Sequence, residues 1–98
     1  MKRHLADFVP GLAQVFLLDR DTGLLCRILG LYAARGIELL HVDYAYAAQD
    51  VMKLRVRVRG TGQQAESLRV LVEKVGTFVG VLAAAMDDSL GTAIEPAA

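Results

Sequence analysis

The amino-acid sequence predicts an α+β sandwich, a four-stranded antiparallel sheet with two helices on one face, in the order βαββαβ. Three observations carry that prediction. Residues 23–35 and the stretch after Thr61 each repeat apolar residues at helical spacing. Residues 51–59 alternate apolar and cationic side chains, the period of a half-buried strand. The strand–helix–strand unit occurs twice, and right-handed crossovers then set both helices on the same face of one sheet.

Each element has its own local reason. The first 12 residues mix charges with Pro10 and Gly11 and show no period, so they read as a lead-in segment. "AQVFLL", residues 13–18, is short, apolar and closed by Asp19, as a strand buried on both faces would be. Asp21 or Thr22 offers the side-chain oxygen that caps the first helix. In that helix Leu24, Ile28, Leu31 and Tyr32 share one face, with Leu25 and Leu29 beside it. Gly36 supplies the left-handed residue that ends it, and Gly30 marks a close approach to the sheet. Cys26 reads as a small packing residue.

Residues 37–46, "IELLHVDYAY", form the second strand. Val42, Tyr44 and Tyr46 alternate with His41, Asp43 and Ala45, and a bulge near Leu40 absorbs the broken step. In the third strand Met52, Leu54, Val56 and Val58 face one way and Lys53, Arg55, Arg57 and Arg59 the other. Thr61 and Gln64 have capping-box spacing and open a helix with the stripe Ala65, Leu68, Leu71, Val72 and Val75, which Gly76 stops. "TFVGVLAAA", 77–85, is expected as the last strand, apolar on both faces. Residues 13–86 thus make one domain, and 87–98 a flexible tail. The topology is ferredoxin-like.

Composition narrows the function. The chain has 98 residues, enough for one domain with a modest core, yet 54% of them are apolar. Strands one and four carry apolar residues on both faces, while strand three puts cations on its second face. The sheet face without helices is then half apolar and half basic, which predicts a homodimer. Net charge is zero, so no global bias points to nucleic acid or an acidic membrane surface. The longest unbroken apolar run, Phe78 to Met86, is far short of the roughly 20 residues that span a bilayer. A single cysteine, Cys26, makes no intrachain disulfide and fits a reducing, cytoplasmic setting.

Catalytic chemistry is hard to find. His41 and Asp43 share a strand face, but no nucleophile stands with them, and pairing with the strand-three arginines is the simpler reading. One Cys and two His give no metal site of familiar spacing. Asp19 and Asp21 flank the first helix N-terminus and make it a poor seat for a polyanion. An RNA-recognition motif shares the element order, but its stacking aromatics are missing from strand three.

Set in order and at matching spacing, "VFLLDRDTGLLCRILGLYAARGIELLHVDYAY", "MKLRVRVRG" and "LRVLVEKVGTFVGVLAA" resemble the ACT domain. More narrowly they resemble the regulatory small subunit of acetolactate synthase (acetohydroxyacid synthase), over about Ala13 to Ala85. The resemblance implies a non-catalytic homodimer that activates a catalytic partner, the acetolactate synthase large subunit, in branched-chain amino-acid biosynthesis. It implies no cofactor, and a small amino-acid effector bound at the dimer interface. The matching positions are Arg20, Asp21, Thr22, Gly23 and Leu24 in the first strand–helix turn, with Glu38 and Leu39 opening the second strand. Gly23 matches the family glycine that lets a ligand approach backbone amides. Arg20 and Glu38 stand where the branched-chain sensors typically have asparagines. That exchange implies an ion pair that closes the pocket or selects a different zwitterion. A free-standing ACT sensor serving another enzyme or regulator is the alternative.

Overall fold

The computed structural model describes residues 13–60 and 64–87. The lead-in, the Thr61 cap and the tail after Asp87 lie outside the described residues. The elements are β1 (Ala13–Asp19), α1 (Thr22–Ala34), β2 (Leu39–Ala48), β3 (Val51–Val58), α2 (Ala65–Val75) and β4 (Val81–Asp87). They form one antiparallel sheet in the order β2-β3-β1-β4, the ferredoxin-like arrangement that the sequence predicts.

Strand register sorts the side chains into two faces. Toward the helices run the rows Tyr46–Met52–Leu18–Val81, Tyr44–Leu54–Phe16–Ala84 and Val42–Val56–Gln14–Met86. On these rows α1 lays Leu24, Ile28 and Tyr32, and α2 lays Leu68, Leu71, Val72 and Val75, all buried. Burying a side chain of this kind is worth about 1.5–3 kcal/mol, so this face holds the fold. The other face carries Ala45–Lys53–Leu17–Ala83, Asp43–Arg55–Val15–Ala85 and His41–Arg57–Ala13–Asp87. Asp43 thus stands opposite Arg55 and His41 opposite Arg57, as the strand pattern suggests. The β2 register shifts between Leu39 and His41, which puts the bulge at Leu40.

Several expectations need correction. The last strand starts at Val81, not Thr77, and it runs on through Asp87, which the tail was expected to include. Thr77 to Gly80 form a turn instead. The Thr77 hydroxyl donates to Lys74 O at 2.7 Å, and Gly80 takes a φ of +96°. Gly30 is exposed, and a Cβ there would meet nothing within 4 Å, so close approach does not account for it and nothing else in the structure explains a glycine there. Cys26 is exposed rather than packed. β1 is buried on its helix face only; Val15 and Leu17 are half-buried on the other.

Gly80 is the glycine that the fold does require. A side chain would add left-handed strain and place its Cβ 3.0 Å from Leu24 Cδ2. Gly80→Ala is expected to destabilise the chain by about 1–3 kcal/mol, read as a lower urea midpoint with an unchanged slope.

Candidate functional site

The turn from β1 into α1 is built by Asp21. It is the N-cap residue, with an extended backbone just outside the helix, and its side-chain Oδ1 accepts from the Gly23 N–H at 2.9 Å. Its carbonyl accepts from the Leu24 and Leu25 N–H groups at 3.0 and 3.2 Å. The amides over which an effector carboxylate would lie are therefore already occupied, and a carboxylate reaching Gly23 N must displace the Asp21 side chain. Gly23 suits that cap sterically, since a Cβ there would lie 3.3 Å from Asp21 Oδ1. Thr22 is exposed at the first helical position, while the Leu24 side chain is buried in the core. The Asp19 N–H donates to Gly80 O at 2.8 Å, which ties the loop to the turn before β4. Beside it the Arg27 guanidinium lies 4.5 Å from the Phe78 ring centroid.

Arg20 points to the β2–β3 hairpin. Its Nη1 donates to the Tyr46 hydroxyl at 2.8 Å, and its Nη2 lies 3.6 Å from Asp50 Oδ1. The guanidinium also sits 5.9 Å from the Tyr46 ring centroid. The hydrogen bond to Tyr46, the Tyr46 phenol's charge and then Asp50 push the Arg20 pKa further above its ordinary value. Arg20 and Asp50 are both more than half exposed, so the contact positions the loop more than it stabilises the fold. Asp50 itself holds the left-handed position of the hairpin, at a φ of 58°.

Glu38 and Leu39 are elsewhere. Asp19 stands opposite Val51, whereas Leu39 stands opposite Val58 at the far end of β3. At about 3.3 Å per residue the two ends are on the order of 20 Å apart. Within one chain Arg20 and Glu38 therefore do not pair. Glu38 Oε1 lies 3.6 Å from Arg59 Nε instead, and the Arg59 N–H donates to Glu38 O at 3.0 Å. Leu39 is half-buried against the core. The structure sets Arg20 and Asp21 in the turn and Thr22, Gly23 and Leu24 in the first turn of α1, and it brings Tyr46 and Asp50, which sequence reasoning missed, against Arg20. Their signal was the hairpin register, which returns β2 and β3 to the end of β1.

Among the described residues no group of three or more His, Cys, Asp or Glu side chains converges to hold a metal ion. Nor is any described helix long and apolar enough to cross a membrane.

No protein-family model matches the chain, and no curated protein sequence does. Solved structures do match. The C-terminal domain of the MgtC protein from Mycobacterium tuberculosis is 20% identical, with a TM-score of 0.65 over 84% of this chain and 95% of that one. The ACT domain of GTP pyrophosphokinase from Chlorobium tepidum is 12% identical, with a TM-score of 0.59 over 74% of this chain and 90% of that one. At these identities the likeness is one of fold: the chain has an ACT-like fold of ferredoxin-like topology.

Proposed function

We propose that this chain is a non-catalytic, cytoplasmic regulatory subunit: the small subunit of acetolactate synthase, which activates the catalytic subunit in branched-chain amino-acid biosynthesis. The observation that carries the reading is the run of matching segments from Ala13 to Ala85, laid on an ACT-like fold with the Asp19–Gly23 turn at the end of β1.

The homodimer gives the distant site residues a way to meet. β2 is an edge strand, free to pair with a second copy across a two-fold axis. Full antiparallel overlap of two Leu39–Ala48 strands sets Leu39 of one copy opposite Ala48 of the other. Glu38 of the second copy then arrives beside Tyr46 and Asp50, where Arg20 is held. An effector between them would face Arg20 and the Asp21–Leu24 turn from one chain, and Glu38 and Leu39 from the other.

A free-standing ACT sensor of another enzyme or regulator is the second reading. Arg20 favours it, because a guanidinium held on Tyr46 and Asp50 offers different recognition from a neutral amide. Co-expression with an acetolactate synthase large subunit separates the two. A stable complex whose activity exceeds that of the large subunit alone is the expected result. No complex and no change in activity would remove the synthase assignment.

A further inference from the structure

Among the described residues the large apolar side chains left exposed are Val42, Tyr46, Val70, Val79 and Leu82. Val42 and Tyr46 belong to β2, the edge assigned above to the second copy. Val70 stands alone on α2, and a single exposed aliphatic residue is ordinary. Val79 and Leu82 are different. They sit together where the chain leaves α2 and enters β4, and they are 92% and 57% exposed.

The fold holds this pair out on purpose-built geometry. Leu17 pairs with Ala83 and Leu18 with Val81, so Leu82 is the extra residue of a bulge and has no partner on β1. Bulges of this kind re-aim a side chain. Val79 lies in a turn fixed on both sides: the Phe78 N–H donates to Val75 O at 3.0 Å and the Val81 N–H to Phe78 O at 3.1 Å. Phe78, half-buried beside them, packs on the core. A surface fixed before contact loses little freedom on binding.

Charge differs on the two flanks. No charged side chain occurs from Gly76 to Met86. On the α1 side stands the exposed Arg27, whose guanidinium lies against the Phe78 ring. On the β1 side stands the exposed Asp19, whose Oδ2 is 3.4 Å from where a Gly80 Cβ would be.

We propose that Phe78, Val79 and Leu82 form the docking surface for the catalytic subunit. The fitting partner surface is an apolar patch with a carboxylate beside Arg27 and a cation or hydrogen-bond donor beside Asp19. The apolar centre excludes water, and the flanking charges of opposite sign set the orientation. A phosphate-rich surface does not fit, because Asp19 repels it and Arg27 is one cation. The position also joins partner to loop. The Asp19 N–H holds Gly80 O, and Leu24 Cδ2 lies 3.0 Å from where a Gly80 Cβ would be. A change in the Asp19–Leu24 turn therefore bears directly on the turn that carries Val79. The partner's identity rests on the regulatory-subunit reading above; the exposed patch does not.

The test titrates a purified acetolactate synthase large subunit with the full chain and reads both binding and activity. Val79→Asp, Leu82→Asp and Arg27→Glu are compared with wild type and with Val70→Asp, an exposed change elsewhere. Circular dichroism and sedimentation of each variant alone should match wild type. The first three variants are expected to weaken the complex about tenfold or more and to need correspondingly more protein for the same activation, while Val70→Asp behaves as wild type. Wild-type affinity in Val79→Asp and Leu82→Asp overturns the docking surface and leaves the synthase assignment standing. An equal loss in Val70→Asp overturns it too, as does a loss of the homodimer, which would give the patch to a second copy. Wild-type affinity in Arg27→Glu alone overturns the partner carboxylate. No complex with the wild type removes the synthase assignment, and the docking surface with it.

Discussion

Tyr32→Phe should cost about 1–3 kcal/mol of stability, a large loss for one hydroxyl. The Tyr32 hydroxyl donates to Gln14 Oε1 at 2.8 Å inside the core, and both side chains are fully buried. Gln14 Nε2 already has no partner among the described residues. Removing the hydroxyl would leave the Gln14 oxygen unpaired as well, in a site where water does not reach it. The double variant Tyr32→Phe with Gln14→Leu removes both ends of the pair and should recover most of the loss. Chemical unfolding at neutral pH checks this. A double variant no more stable than the single one would mean that the hydroxyl acts through packing and not through Gln14.

The same pair sets a pH limit. Burial pushes the Tyr32 phenol above its ordinary value of about 10. The folded state thus holds the proton after the unfolded state has released it. The contribution is fully present below about pH 10 and is lost as pH rises beyond that toward the raised folded value. Unfolding free energy should therefore fall across that alkaline window in the wild type. In Tyr32→Phe the fall should be shallower.

Gln14 also marks the boundary of what the residues made legible. The alternating strand β3 and the Leu40 bulge could be read because period-two patterning either keeps step or visibly breaks. Gln14 is in phase with Phe16 and Leu18, so its burial was available from the alternation, but one polar residue in an apolar run is easily read as strand edge. The start of β4 was not legible in this way. Phe78 to Met86 is apolar throughout, and such a run has no period to show where the turn ends. Only Gly80, at positive φ, carried that information. α1 presented a related problem. Its half-buried flanks at Leu25, Leu29 and Leu31 are as apolar as its buried face, so the exposure of Cys26 and Gly30 did not follow from the pattern. At the candidate site the contiguous loop was legible as a capped turn. The tie from Arg20 to Tyr46 and Asp50, and the distance to Glu38, depend on strand order and register, which residue spacing does not encode.

Those distances set up the second large effect. If the effector seat forms only where β2 of one copy meets β2 of another, blocking that edge should remove the dimer and the seat together. Ala47→Pro is the substitution to use. The β2 register shifts between Tyr46 and Ala48, so Ala47 has no ladder partner on β3 and is exposed. Proline is tolerated at such bulges and edges but denies a hydrogen bond to an incoming strand. The variant should keep its far-ultraviolet circular dichroism and thermal midpoint at low concentration. Sedimentation equilibrium should find the wild type dimeric at micromolar concentration and the variant monomeric, a weakening of about tenfold or more. A wild type that sediments as a monomer would remove the dimer altogether. A variant that stays dimeric would move the interface off β2, to the uncharged Val81–Met86 edge or to the open face of Val15, Leu17, Ala83 and Ala85. Any response at Arg20 to Leu24 should vanish with the dimer, because Glu38 and Leu39 must come from the second copy.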